Sequence, residues 1–286
     1  MPSSKFAICL IAAAAVAAMG AARPTEESSL MGWKSLTLEA QKAALFSAST
    51  RLSVSEATQP GTGKPVHVLT TRSLARLLGA TAFEEQTTSY IDSAKGRPVE
   101  FFQLRPGDSA RRYLFLDGLV RQTTWEPLAS KRDEDFKRWP EIETVDRRLT
   151  YADGTGPAGG EMLTDLYSMI YLLRDSDLSA AEPAPREFTA LYRRHVVKIR
   201  ITAGERRTQE RTVTRESTGK QETLRLHERR LQIQPLGAGS DQFRGLMGMQ
   251  GDTAIWVDEK SGAVVEISGS APGIGATQAT LVSFER

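Results

Sequence analysis

One cysteine, three histidines, no asparagine and no apolar run long enough to span a bilayer are the scarcities of this 286-residue sequence. Cys9 sits in an apolar stretch near the start, so disulfide frameworks, cysteine-ligated metals and thiol nucleophiles are excluded for everything downstream. His67, His195 and His227 are far apart and none has the close spacing that many zinc sites use. Each reads as a surface or structural histidine. No Gly-x-Ser-x-Gly exists, and Gly269-Ser270-Ala271-Pro272-Gly273 has the wrong phase for a nucleophile elbow, so it reads as a bend. Charge of one sign is also lacking. With 37 Lys+Arg against 35 Asp+Glu the net charge is +2, which gives no bulk attraction to nucleic acid.

What is present begins with a targeting signature. Residues 1–5 carry one cation, 6–19 are apolar, and Gly20-Ala21-Ala22 supplies small residues before Arg23, the three parts of a secretory signal. Residues 1–22 are therefore expected to be a signal peptide cleaved after Ala22, with Gly20 the alternative, and the protein to be periplasmic or secreted. The apolar stretch is shorter than the roughly 20 residues a membrane-spanning helix needs, and no later segment is longer. Cys9 follows Ile8 at the start of the apolar region rather than a small residue at its end, which argues against a lipid anchor.

Residues 23–286 read as a single β-rich domain in two halves, 45–127 and 186–286. The expected fold class is mainly β (α+β): a curved antiparallel sheet, half-open barrel or sandwich-like, with an N-terminal helix and one central buried helix. Residues 35–48 favour a helix, with Leu36, Ala40, Ala43 and Ala44 at helical spacing and Leu38 and Leu45 opposite. Residues 66–71 read as a strand and 73–78 as a helical turn; strand patterns at 83–92, 98–104, 112–116 and 119–125 are separated by short turns, and Asp117-Gly118 carries a strong hairpin signal. Residues 129–148 are highly charged and read as an exposed connection that Phe136, Trp139 and Ile142 can tack to the core. Residues 161–174 place Leu163, Leu166, Ile170 and Leu173 on one face, with Tyr167, Met169 and Tyr171 widening it, so this helix is expected to be buried. Beyond it, Val197, Ile199 and Ile201 alternate with Lys198, Arg200 and Thr202, and further strands follow to residue 284. Lys260-Ser261-Gly262 is a turn between two of them.

The run Asp165-Leu-Tyr-Ser-Met-Ile-Tyr-Leu-Leu-Arg174, the Arg-rich strands after it, and the ending from Ala254-Ile-Trp-Val-Asp258 to Leu281-Val-Ser-Phe-Glu285 resemble the exported bacterial family called domain of unknown function 3108. The charged insertion at 131–148 and the extended stretch 208–220 depart from its usual pattern. The resemblance implies an exported, mostly antiparallel β protein and transfers no catalytic residues.

Gly154-Thr-Gly-Pro-Ala-Gly159 matches a dinucleotide fingerprint literally, but the segment before it is too polar for a buried parallel strand and Pro157 removes an amide the pyrophosphate would use. It reads as a loop, and Gly61-Thr-Gly63-Lys64-Pro65 reads as a turn. No cofactor or metal is expected. Between 186 and 230 cations outnumber carboxylates about two to one, and nearly all are arginine. Arg200, Arg215 and Arg225 are the candidates for docking an anion or partner, against the plainer reading of a solvated strand face. Three functions stay open: a non-enzymatic envelope factor that binds an apolar or amphipathic ligand or a protein partner on the concave sheet face, an envelope polysaccharide or peptide hydrolase whose carboxylates meet only in three dimensions, and an electrostatic docking module.

Overall fold

The computed structural model describes residues 30, 32–42, 45–59, 62–116, 119–151, 153–157, 161, 163–175, 178–192, 195–237, 243, 249–271 and 274–286. The proposed signal peptide and the Asp117-Gly118 turn lie outside them. The elements are β1 (Ser35–Lys42), β2 (Phe46–Thr58), β3 (Pro65–Leu77), β4 (Ala80–Asp92), β5 (Arg97–Arg105), β6 (Ser109–Leu116), β7 (Leu119–Trp125), β8 (Glu141–Arg148), β9 (Leu163–Thr164), α1 (Leu166–Leu172), β10 (Arg186–Tyr192), β11 (His195–Arg215), β12 (Gln221–Leu236), β13 (Gln250–Asp258), β14 (Val264–Ala271) and β15 (Gly275–Glu285).

All fifteen strands join one sheet, in the order β8-β7-β6-β5-β4-β3-β2-β1-β15-β14-β13-β12-β11-β10-β9. Short turns between successive strands make the pairings antiparallel, with β9–β10 and β11–β15 parallel. The seam between the halves is the pairing of the first strand with the last, with Leu36 opposite Phe284 and Leu38 opposite Leu281.

The N-terminal helix expected over 35–48 is corrected by this seam. Residues 35–42 are a strand held between β2 and β15, while Ala43 and Ala44 lie outside the described residues. Leu36 and Ala40 suit either period, but Leu38, which a helix turns away, joins them on one face at period two. All three are buried. Hydrogen bonding on both flanks then overrides the weak helical propensity.

The charged stretch 129–148 is exposed over most of its length, Ile142 included, but it is more than a connection. Its second part is β8, paired along β7, and two 3-10 turns precede it. Trp139 is buried and donates from Nε1 to the Glu134 carbonyl at 3.0 Å, while Phe136 packs on Phe102. Residues 161–174 contain a seven-residue helix, because Leu163 and Thr164 pair with β10 first. Asp165 caps it, accepting from the Tyr167 and Ser168 amides and the Ser168 hydroxyl. Six of the seven helical residues are buried, as an apolar surface on nearly every side requires.

β11 is long enough to serve two neighbourhoods. Its first part pairs with β10 and β12, a bulge follows between Ala203 and Arg206, and its end meets β15 at Thr214–Ser283 and Arg215–Phe284. Strands β11 to β15 therefore form a closed circuit, a small ring at one side of the sheet. β12 changes its buried face accordingly, from Leu224, Leu226 and Glu228 to Leu231 and Ile233.

The β3–β4 hairpin closes through Leu78 (φ 53°) and Gly79 (φ 80°), the two positive angles of a type I′ turn. Leu78 is 72% exposed, so it gains no burial for a left-handed backbone. Leu78→Asn is expected to stabilise the protein by about 1 kcal/mol. A calorimetric melt raised by about 2 °C checks this, and an unchanged or lower melt contradicts it.

Candidate functional site

Cross-strand register sorts the inner face of β3–β8 into ranks. One rank runs Leu69, Ser89, Phe101, Tyr113, Gln122 and Val145; the next runs Thr71, Thr87, Gln103, Arg111, Thr124 and Glu143. On the other side of the first lie Phe115, Val120 and Arg147. The face is thus amphipathic, with a band containing Phe101, Tyr113, Phe115 and Val120 beside a polar one. Phe101, Tyr113 and Val120 are buried, while Phe115, Arg111, Val145 and Arg147 are half-buried.

Helix α1 covers the β3–β4 part of this face. Tyr167 donates its hydroxyl to Glu85 Oε1 at 3.0 Å, and Tyr171 packs on His67 and Trp33. The other oxygen of Glu85 accepts from Gln103 Nε2 at 2.7 Å and Arg105 Nε at 2.9 Å. The helix thus closes the face at β3–β4, and the partly exposed side chains of the face lie toward β6–β8. Burial, then the negative charge of Glu85, pushes the Tyr167 phenol well above its ordinary value. Below about pH 10 the phenol is neutral in both folded and unfolded chains, so this group takes nothing from stability. Above it the unfolded phenol ionises first, and stability is lost at up to about 1.4 kcal/mol per pH unit. Urea unfolding between pH 9 and 11 is expected to show a shallower loss in Tyr167→Phe, and equal slopes contradict the assignment.

Beside this network, Arg111 lies two residues from Tyr113 on the same face of β6, Arg105 is on the neighbouring β5, and Arg147 stands opposite Val120 in the rank on the other side of Tyr113. Burial holds Tyr113 above its ordinary value, with the three cations pulling the other way.

A second constellation fills the ring. Arg207 donates to Glu228 (2.7 Å) and Glu266 (2.6 Å), Arg211 donates to both carboxylates as well, and Arg207 stacks 3.7 Å from the Trp256 ring centroid. Glu228 is fully buried and Glu266 nearly so. The two glutamates are a buried carboxylate pair that meets only in three dimensions, and both members accept from guanidinium groups. A signal was present: Glu228 continues the inward series Leu224, Leu226, and Glu266 interrupts the apolar run Val264–Ile267.

The three nominated arginines are not brought together. Arg200 donates twice to Glu187, and Arg215 forks onto Glu222 at 2.6 and 3.0 Å. Arg225 is exposed, opposite Glu210 in the register. Arg215 and Arg225 occupy opposite faces of the β11–β12 hairpin by alternation. His227 Nδ1 lies 3.1 Å from the Thr208 hydroxyl, and His195 is exposed. Among the described residues no group of three or more His, Cys, Asp or Glu is placed to hold a metal, and no helix is long and apolar enough to cross a membrane.

No family model matches the chain, and no curated protein matches it. A solved structure described as a porin-like protein from Bacteroides uniformis is similar at 9% identity over 87% of this chain and 96% of that one, with a TM-score of 0.25.

Proposed function

We propose that this chain is an exported, non-catalytic binding protein that takes an amphipathic ligand on the inner face of β5–β8. The observation that carries this is the ranked face itself. Phe101, Tyr113 and Val120 are buried and Phe115 half-buried, an apolar bed continuous with the core; the adjoining rank offers Gln103, Arg111 and Thr124, and the half-buried Phe115, Arg111, Val145 and Arg147 mark the side, toward β6–β8, on which a ligand would meet it. Binding faces of this kind are largely apolar with a few placed polar groups.

Export through residues 1–22, and kinship with the family named domain of unknown function 3108, belong to the same proposal. The hydrolase alternative is less well served. Among the described residues, the buried carboxylates Glu228 and Glu266 share two arginines: both oxygens of Glu228 and Oε2 of Glu266 accept from Arg207 and Arg211, which leaves the pair poorly placed to meet a substrate bond.

Native mass spectrometry of the chain from the exported fraction tests the reading. A mature mass starting at Arg23, with a discrete excess of lipid size that organic extraction removes, is expected. A bare chain from the gentlest preparation would sink it.

A further inference from the structure

We propose that Arg111 and Arg147, in the ranks on either side of Tyr113, form an oxyanion-binding site for the phosphate, sulfate or carboxylate head of the ligand. This rests on the amphipathic-ligand reading above and names the chemistry of its polar end.

The two faces of the same strands treat their arginines differently. On the outer face, Arg112 forks onto Glu100 at 2.8 Å through both nitrogens, and Arg121 forks onto Asp146 at 2.7 and 2.9 Å. On the inner face, Arg105 is taken by Glu85. Arg111 has no carboxylate partner among the described residues; its register neighbours are Gln103 and Thr124. Arg147 has one long contact, Nη2 to Glu143 at 3.6 Å, and its Nε is enclosed without an acceptor. Three cations thus face two carboxylates on this patch, and Arg111 is the surplus.

An enclosed guanidinium N–H without an acceptor is costly, because desolvation is not offset by a hydrogen bond. A planar guanidinium fork is the group best matched to a tetrahedral or carboxylate oxyanion. Phe101, Phe115 and Val120 lie within one or two register positions of this polar pair, so a head held by the arginines leaves its alkyl chain over the apolar band.

Calorimetric titration of the chain from Arg23 with three probes, each kept below its micellar concentration, separates the possibilities. The probes are dodecyl phosphate, inorganic phosphate and the neutral dodecyl maltoside. Dodecyl phosphate is expected to bind most tightly, Arg111→Gln and Arg147→Gln each to weaken it at least tenfold, and Arg121→Gln, on the outer face, to leave it unchanged. Melting curves check that each variant is folded. Unchanged affinity in both inner-face variants overturns the site. Equal binding of dodecyl maltoside and dodecyl phosphate also overturns it, while leaving the amphipathic reading intact. Binding of inorganic phosphate as tight as that of dodecyl phosphate upholds the oxyanion site and removes the amphipathic reading. Binding of none of the three removes both.

Discussion

Exchanging Arg211 for methionine is expected to lower the unfolding free energy by about 3–5 kcal/mol. Burial by itself opposes the Arg211 charge, yet hydrogen bonds and charge from Glu228 and Glu266 raise its pKa above the ordinary value, so the cation is held by its surroundings. Removing it leaves two enclosed carboxylates to share Arg207, which is 30% exposed and already stacked on Trp256. The cost is that of an uncompensated buried charge, not of one ion pair. Arg215→Met provides the contrast. It removes a bidentate pair with Glu222 of comparable length, but one left partly in water, and such pairs contribute about 1 kcal/mol or less. Urea unfolding of the two variants side by side checks the difference, and losses of equal size contradict it.

Gly262→Ala is expected to be comparably damaging, for a steric reason. The β13–β14 turn packs against the 3-10 turn that follows α1, and a β-carbon at Gly262 would lie 2.8 Å from Arg174 Cβ and nearer still to its Cα. Backbone cannot yield as a flexible side-chain tip does. Gly262 also has φ +60°, where a side chain costs about 1–2 kcal/mol before any clash. Gly219, at φ +65° with nothing within 4 Å of the same virtual atom, isolates that conformational part. Gly219→Ala is therefore expected to cost about 1 kcal/mol and Gly262→Ala about 3 kcal/mol or more. Thermal melts of both variants decide it; near-equal shifts would mean the turn moves away freely from Arg174.

Much of the sheet was legible because strand alternation and turn residues are local. The expected strands 112–116 and 119–125 are β6 and β7, with Leu116 opposite Leu119 across the expected turn. What was not legible depends on partners remote in sequence. The choice of strand over helix at 35–42 is made by β15, at the far end of the chain. The sorting of arginines is equally non-local: Arg111 and Arg112 are adjacent in sequence, yet a strand sends them to opposite faces, and which faces a carboxylate depends on register with β5 and β7. Arg200 and Arg215 looked available for the same reason, since Glu187 and Glu222 meet them only once the hairpins are aligned. The ring network was half legible, because a glutamate in an inward-facing series is visible in the sequence, whereas its two guanidinium partners are not.

The central claim is that the inner face of β5–β8 is the binding surface, and hydrogen exchange with dodecyl phosphate present and absent tests it most directly. Slower exchange at residues 97–125 and 141–148, with the ring strands 250–271 unchanged, is the predicted result. No change anywhere, or protection confined to the exposed leucines of the β3–β4 tip around Leu77 and Leu78, would contradict the account.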